Sequence, residues 1–150
     1  MIPQSRPATI RDGLLVAKNL RKEDREELEG MDLNPLHLPF GVVASDHTIA
    51  FFSKEGVIAG VAGVVTVEKG IGQIWMLCTE ESHKEPIRMV RSAKRWIKEI
   101  ESNYRLLWNL ADARNHVHHK LLKHLGFRAL REVPVGSKQL PYYEVVRLCA

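Results

Sequence analysis

Residues 112–127 constrain the fold more than any other part of this 150-residue chain. Asp112 or Asn115 can cap a helix at the start of this stretch, because the side-chain oxygen of either residue can accept from a free backbone N–H. The apolar residues that follow recur at helical spacing. Gly126 ends the pattern, since glycine enters the left-handed conformation without steric cost, and Phe127 can pack back on the last turn. Apolar runs before and after predict two strands, which makes a strand–helix–strand unit.

Three further strand signals follow one another closely over residues 47–53, 57–67 and 71–79. Each pair is separated by a short turn that contains glycine, Gly56 in the first and Gly70 in the second. Connections this short join antiparallel strands, whereas parallel strands need a crossover of a dozen or more residues. The sequence therefore predicts an antiparallel meander.

The remaining elements complete an alternating pattern of helices and strands. Residues 1–13 contain two prolines and predict a leader on the surface. We expect a first strand at 14–20, a helix at 21–31, and a proline-broken loop or short helix at 32–41 of the kind that lines a substrate cleft. After the central unit, we expect a loop at 134–141 and a closing strand at 142–148.

A long helix is predicted over residues 82–103. Ser82 and Glu85 have the spacing of a capping box, in which each residue bonds a free N–H near the helix start. Pro86 lies in the first turn, where its missing N–H costs little. The capping signal therefore places the helix start at Ser82.

Composition predicts a single domain and excludes several classes of protein. The apolar share is 45%, which is ordinary for a globular protein, and no apolar run is long enough for a membrane helix. The N-terminus lacks a secretion-signal pattern. Two cysteines, Cys78 and Cys149, are too few for a disulfide framework. These features predict a cytoplasmic setting, or a particle assembled in the cytoplasm.

The charge favours anionic partners without identifying one. Net charge is +4 and the isoelectric point is about 9.2, which suits the phosphates of a nucleotide cofactor as well as nucleic acid. Arg88, Arg91, Arg95 and Lys98 recur on the predicted long helix. They are either a solvated face or an anion-binding one. Without interleaved exposed aromatics, the row does not favour single-stranded nucleic acid as a partner.

Histidines near the start of the short helix are candidate metal ligands. His116 and His119 stand three residues apart, on one side of a helix. Structural zinc sites take four Cys, His or carboxylate ligands, and no further set has a suitable spacing here. We therefore predict no metal site.

The order of these elements resembles the GNAT (Gcn5-related N-acetyltransferase) fold. The local motif supports the resemblance, because Asn115 opens the short helix and Gly126 with Phe127 follows eleven residues later, as is typical of GNAT proteins. The resemblance implies an α/β fold with a mixed, mostly antiparallel sheet flanked by helices.

A closer resemblance rests on four segments and covers roughly residues 8–148. It is to the small internal virion proteins of short-tailed coliphages, a family described as GNAT-like. The segments are Trp75-Met-Leu-Cys-Thr-Glu, Asp112-Ala-Arg-Asn, Leu122-Lys-His-Leu-Gly-Phe, and the tail from Pro134 that ends in Pro141-Tyr-Tyr-Glu.

The GNAT resemblance implies transfer of an acyl group from acetyl-CoA or another acyl-CoA to the amine of a small molecule or protein. Glu80, at the end of the third meander strand, is the candidate general base, although a surface carboxylate is the simpler reading. His118 is the candidate acid with a pKa near neutrality, because its helical angle places it inward; the alternative is a buried, hydrogen-bonded histidine. The implied cofactor contacts are Leu77, Cys78, Thr79, His83, Arg88 and Asn115.

Two departures from the GNAT pattern fall on functional positions. The loop that binds the pyrophosphate through backbone N–H groups here carries His83, Pro86 and Arg88 at its three motif positions. Pro86 has no N–H, and a side chain at Arg88 hinders close approach. The tyrosine that protonates the leaving thiolate is replaced by Leu122. A second hypothesis therefore stands beside the enzyme: a non-catalytic phage protein that acts in the virion or on a host partner.

Overall fold

The computed structural model describes residues 4–149, so the first three residues of the predicted leader lie outside the description. Seven strands form one sheet. They are β1 (Ser5–Arg6), β2 (His47–Phe52), β3 (Ile58–Glu68), β4 (Ile71–Cys78), β5 (Leu106–Asp112), β6 (Arg128–Val135) and β7 (Leu140–Leu148).

Five α-helices flank the sheet, and short 3₁₀ turns lie before α3 and on both sides of α4. Within residues 4–149, none of the helices is long and apolar enough to cross a membrane. The helices are α1 (Ile10–Lys18), α2 (Lys22–Gly30), α3 (Leu38–Ala44), α4 (Pro86–Ile100) and α5 (His116–His124).

The strand order is β1-β2-β3-β4-β5-β7-β6, and only the β4–β5 pair is parallel. The meander predicted for β2, β3 and β4 is confirmed by their antiparallel registers. The mixed, mostly antiparallel α/β fold is likewise confirmed. The parallel pair is the point at which the chain crosses over through α4.

The core has two parts, one on each face of the sheet. On one face α4 buries Trp96 and Ile97 against the sheet and against Leu122 of α5. On the other face α1 buries Val16 and Ala17. Each apolar side chain of this size removed from water contributes about 1.5–3 kcal/mol, so both helix layers are held by burial.

The predicted start and end of the short helix are confirmed in α5. Asn115 is its N-cap, and its Oδ1 accepts from the backbone N–H of His118 at 3.1 Å. Gly126 follows the helix with a φ of +86°. The N–H of Phe127 then donates to the carbonyl of Leu122 at 3.0 Å, which closes the last turn.

The strand predicted at residues 14–20 is wrong, because α1 occupies residues 10–18. Thr9 caps this helix: its hydroxyl accepts from the N–H of Asp12 at 3.2 Å, and the Asp12 carboxylate accepts from the N–H of Thr9 at 2.8 Å. Together with β1, this helix occupies much of the predicted leader. A reciprocal cap outweighed the short apolar run that suggested a strand.

The predicted start of the long helix is also wrong. α4 begins at Pro86, and Glu85 precedes it with no side-chain cap. Ser82 instead donates its hydroxyl to the carbonyl of Thr79 at 2.8 Å. Proline disfavours the helical conformation in the residue before it but fits the first helical position, so Pro86 sets the boundary.

Gly30, the last residue of α2, is required by the packing of β7. A methyl group there would collide with the hydroxyl of Tyr142 and meet Leu140 Cδ1 at 3.2 Å. We expect Gly30→Ala to lower the free energy of unfolding by about 1–3 kcal/mol, as overpacking does. Urea denaturation measures this change.

Gly41, within α3, is the matched control for that substitution. A methyl group at this position meets only Trp75, at 3.9 Å. Since alanine is better than glycine inside a helix, Gly41→Ala should raise stability by about 0.5–1 kcal/mol. An unchanged or raised midpoint for Gly30→Ala would refute the close packing at Gly30.

Candidate active site

A gap opens between β4 and β5 because the two strands pair only at their starts. The paired residues run from Ile71 with Leu106 to Gln73 with Trp108. The Asn109 side chain then donates to the carbonyl of Ile74 at 2.6 Å and replaces the next ladder bond. Beyond this point β4 stays with β3, and β5 stays with β7. The ends of two adjacent strands are therefore free to hold other groups.

Two cavities open on this region. The α4–α5 cavity, 620 Å³ in volume, lies beside the end of β4 and between the two helices for which it is named. The α2 cavity, 310 Å³ in volume, lies on the side of α2. His118 lines the α2 cavity and a narrow interior space, and Leu121 lines both this space and the α4–α5 cavity. The gap and His118 therefore stand between the cavities.

The α4–α5 cavity is basic. Its cationic lining residues are Arg21, Arg91, Lys94 and Lys120, and its lining contains no carboxylate. Arg21 is only 4% exposed, and no residue of the described chain accepts a hydrogen bond from its Nη2. Together, these cationic side chains favour an anionic ligand in the cavity.

Leu77 and Cys78, two of the implied cofactor contacts, have no free backbone amide at the end of β4. The N–H of Cys78 donates to Asp24 Oδ2 at 2.7 Å, and the carbonyl of Cys78 accepts from the N–H of Arg21 at 3.0 Å. The N–H of Thr79 donates to the carbonyl of Ala59 in β3. Because backbone groups alternate along a strand, the N–H of Leu77 also points toward β3 and away from the gap. Neither Leu77 nor Cys78 therefore presents a free amide to the gap.

Met76 is the β4 residue whose backbone faces the gap, and sequence reasoning missed it. It lies two residues before Cys78, so its N–H and C=O point to the same side as those of Cys78. It also lies beyond Gln73, the last residue of β4 that pairs with β5. Met76 can be identified by finding where the β4–β5 pairing ends and then following the alternation of backbone groups along β4.

A buried polar network crosses the gap from α2. Asn115 donates through Nδ2 to Asp24 Oδ1 at 3.0 Å and to Glu27 Oε2 at 3.3 Å. Glu27 Oε2 also accepts from the N–H of Asp112 at 3.0 Å. The two carboxyl groups thus hold the end of β4, through Cys78, and the end of β5. The side-chain oxygen of Asn115 caps α5 and its side-chain nitrogen bonds the two carboxyl groups. Asn115 lines neither the α4–α5 cavity nor the α2 cavity.

Glu27 carries the most perturbed carboxyl group of this network. Burial, followed by the nearby charge of Asp24, raises the pKa of Glu27 to about 8. Its bonds from Asp112 and Asn115 oppose the shift. The group therefore holds its proton at neutral pH, and perturbed groups of this kind cluster at functional sites. The residues around it in the sequence are mostly charged, which is the pattern of a solvated helix face, so the sequence does not indicate a buried carboxyl group here.

His118 lies inward, as predicted, and is 8% exposed. Burial lowers its pKa to about 4, which corrects the prediction of a pKa near neutrality. No described residue hydrogen-bonds its Nδ1. At neutral pH the imidazole is uncharged, so it can donate or accept one hydrogen bond but does not act as an imidazolium acid. Leu122 packs beside it and lines the same interior space.

Glu80 lies on the surface rather than in either cavity. Its side chain is 69% exposed and pairs with His83 at 3.5 Å. His83 itself lines the α4–α5 cavity. The ligand atoms of Glu23, Glu80 and His83 lie within 4.8 Å of one another, a group that their spacing in the sequence does not indicate. Two of the three are exposed, and such groups are common without an ion.

The last two predicted cofactor residues have structural partners. Thr79 is buried, accepts from the N–H of Glu81 and donates to the carbonyl of Ile58 at 2.9 Å. Arg88 donates to the carbonyl of Phe52 at 3.3 Å and lies on the side of α4 away from the α4–α5 cavity. The structure thus places only Cys78 and His83 of the six at that cavity.

The chain has the fold of GNAT acetyltransferases. A putative acetyltransferase, YncA from Salmonella typhimurium with its cofactor acetyl-CoA, superposes with a TM-score of 0.72 at 13% identity, over 97% of this chain and 93% of that one. Ard1 from Thermoplasma volcanium gives 0.71 at 11% identity, over 100% and 99%. A GNAT-family acetyltransferase from Streptococcus pneumoniae gives 0.66 at 18% identity, over 97% and 98%.

Sequence comparison adds nothing to the structural likeness. No protein-family model matches the chain, and no curated protein matches its sequence. At these identities the structural likeness establishes the fold, and the activity must be argued from the site.

Proposed function

We propose that the protein transfers an acyl group from acyl-CoA to an amine. The observation that carries this proposal is the gap between β4 and β5, which opens on a basic cavity lined by Arg21, Lys94 and Lys120. Acyl-CoA supplies the acyl group as a thioester and carries several phosphates. Arg21, Lys94 and Lys120 supply positive charge that can attract the phosphates, in place of the backbone N–H that the loop lacks at Pro86.

Met76 and His118 are the proposed groups at the reacting centre. The Met76 N–H faces the gap and is the proposed donor to the acyl carbonyl, whose oxygen gains negative charge as the amine attacks. His118 is proposed as a neutral hydrogen-bonding group. The amine attacks in its neutral form: the nitrogen–carbon bond forms and the carbon–sulfur bond breaks. The nitrogen gives its proton to water, and the thiolate takes a proton from water through the open α4–α5 cavity, so no net proton is consumed.

Titration calorimetry with acetyl-CoA tests this proposal. We expect a dissociation constant in the micromolar range. Lys120→Glu and Lys94→Glu should each weaken binding about tenfold, because each reverses a charge at the cavity and such a change corresponds to about 1.4 kcal/mol. Lys138→Glu, in the exposed β6–β7 turn, should leave the affinity unchanged. No heat and no thermal stabilisation up to millimolar acetyl-CoA would overturn the proposal.

The second candidate is a non-catalytic phage protein that keeps the fold, in the virion or bound to a host partner. The bond from Cys78 to Asp24 favours it, because a carboxylate occupies the amide of Cys78, one of the cofactor contacts that the GNAT resemblance implies. Pro86 at the first position of α4 favours it as well. The same titration separates the two candidates, since a protein of this kind should not bind acetyl-CoA.

The proposed acceptor is an amine of a small molecule or protein, and the proposed location is the cytoplasm, including that of a phage host. Among proteins with this fold, one from Vibrio cholerae is a spermidine N-acetyltransferase, with a TM-score of 0.66 at 8% identity. An amine acceptor suits the α2 cavity of this chain, which contains Glu27 and no cationic residue.

A further inference from the structure

The α2 cavity has an apolar wall. Most of its lining comes from α2, α3, β4 and the segments between them, and its apolar side chains include Leu28, Met31, Leu33, Leu38 and Trp75. Leu33 remains 51% exposed, so the cavity reaches the surface there. A wall of this composition favours a ligand whose body is apolar.

Glu27 is the only carboxyl group in this lining, and the lining contains no lysine or arginine. Its Oε2 is fixed by the N–H of Asp112 and by Asn115. No described residue hydrogen-bonds its Oε1, which therefore remains for a ligand. The cavity can neutralise one positive charge and has no acidic group for a second.

We propose that the α2 cavity binds a primary amine carried on an aryl or alkyl body, with the nitrogen held by Glu27. This inference rests on the proposed function and names its acceptor class. An apolar amine places its single charge at Glu27 and its body against the apolar wall. A polyamine such as spermidine would bring additional ammonium groups to a lining that offers no second carboxylate, and removing a charge from water without a counter-ion is costly.

Binding of such an amine displaces the proton of Glu27. The free carboxyl group has a pKa of about 8, so it is mostly protonated at pH 7, where the free amine is an ammonium ion. In the complex the ammonium ion faces a carboxylate, and one proton leaves to the buffer. Affinity should therefore rise with pH, by close to tenfold per unit below pH 8, and level off above it.

Other charged groups around Glu27 do not supply this proton. Asp24 on the same helix is paired with Arg21, and Asp112 beyond β5 has a lowered pKa because Arg114 bonds it. Tyr142 from β7 has a raised pKa, and His118 from α5 is already neutral at pH 7. His37, on the turn before α3, also lines the cavity, so its titration is checked with His37→Gln.

Calorimetry without cofactor tests the inference, with 2-phenylethylamine as the probe and spermidine and 2-phenylethanol as comparisons. At pH 7, titrations in PIPES and in ACES differ in buffer ionisation heat, so their difference counts protons. We expect release of close to one proton with 2-phenylethylamine, and affinity at least tenfold above that of spermidine or of the alcohol. His37→Gln should release the same proton.

Glu27→Gln is the informative variant, because it keeps the shape and an oxygen acceptor for Asp112 but cannot hold a charge. We expect it to weaken binding of 2-phenylethylamine at least tenfold and to abolish proton release. Glu29→Gln, at an exposed position of the same helix, should change neither. Urea denaturation shows whether the Glu27→Gln variant folds. The number of protons released by the wild-type protein tests the inference even if this variant does not fold.

Each outcome separates this inference from the proposed function. No binding of 2-phenylethylamine at millimolar concentration, tighter binding of spermidine, or binding without proton release would each overturn the acceptor class. Acetyl-CoA affinity is measured separately at the α4–α5 cavity, so its loss would overturn the enzyme while leaving the amine site standing.

Discussion

Asp24→Ala should lower the free energy of unfolding by about 3–5 kcal/mol, the range for breaking one side of a buried ion pair. Asp24 is 1% exposed and lies 2.9 Å from the guanidinium of Arg21, which is 4% exposed. It also accepts the N–H of Cys78. The substitution leaves a buried cation without its counter-ion and a buried amide without its acceptor. Urea denaturation, with slope and midpoint fitted together, measures the loss.

The neighbouring pair of Lys22 and Glu26 is the control for this effect. It has the same charge types on the same helix, but its atoms are 3.8 Å apart and its side chains are 83% and 39% exposed. Surface pairs contribute about 0–1 kcal/mol, so Glu26→Ala should be nearly neutral. Equal stability of the Asp24→Ala and Glu26→Ala variants would show that the buried pair does not form.

Asn115→Ala should lower the free energy of unfolding by about 3–5 kcal/mol. Loss of a helix cap costs about 1 kcal/mol, the hydrogen bond to the charged Asp24 contributes about 1.5–3 kcal/mol, and the bond to the protonated Glu27 contributes about 0.5–1.5 kcal/mol. Asn115 makes one cap bond and bonds two carboxyl groups, those of Asp24 and Glu27, and it is 2% exposed. Thermal and urea unfolding measure the effect.

The same variant tests the cofactor role that the family resemblance assigns to Asn115. Because its side-chain bonds lie within the protein, the affinity of the folded variant for acetyl-CoA should stay within about threefold of wild type, under 1 kcal/mol. Asn34→Ala is the control, since Asn34 also caps a turn but is exposed. Unchanged stability with strongly reduced acetyl-CoA affinity would favour the cofactor contact instead.

The network of α2 connects the two proposals to the stability of the fold. Asp24 holds the end of β4, and Glu27 holds the end of β5. The proton on Glu27 avoids repulsion between two buried carboxylates, those of Glu27 and Asp24, because a nearby negative charge disfavours ionisation. An ammonium ion that replaces this proton would neutralise Glu27 while leaving the bonds to Cys78 and Asp112 in place.

Features that depend on neighbouring residues could be predicted from the sequence. The cap at Asn115, the stop at Gly126 and the meander turns each involve partners within a few positions, and the structure has all of them. Competing local signals produced the errors. The cap at Thr9 outweighed the apolar run at 14–20, and Pro86 outweighed the capping pattern at Ser82.

The sequence by itself thus determined the order of most elements and the helix that α5 forms, because helix caps, turns and periodicity act over short distances. Only the tertiary structure brought Asp24 to Cys78, 54 positions away, and Glu27 to Asp112, 85 positions away. Charged residues are almost never buried unless paired, so an acidic helix looks solvated until its partners are known. Those partners meet only where β4 and β5 diverge, and no local pattern encodes that divergence.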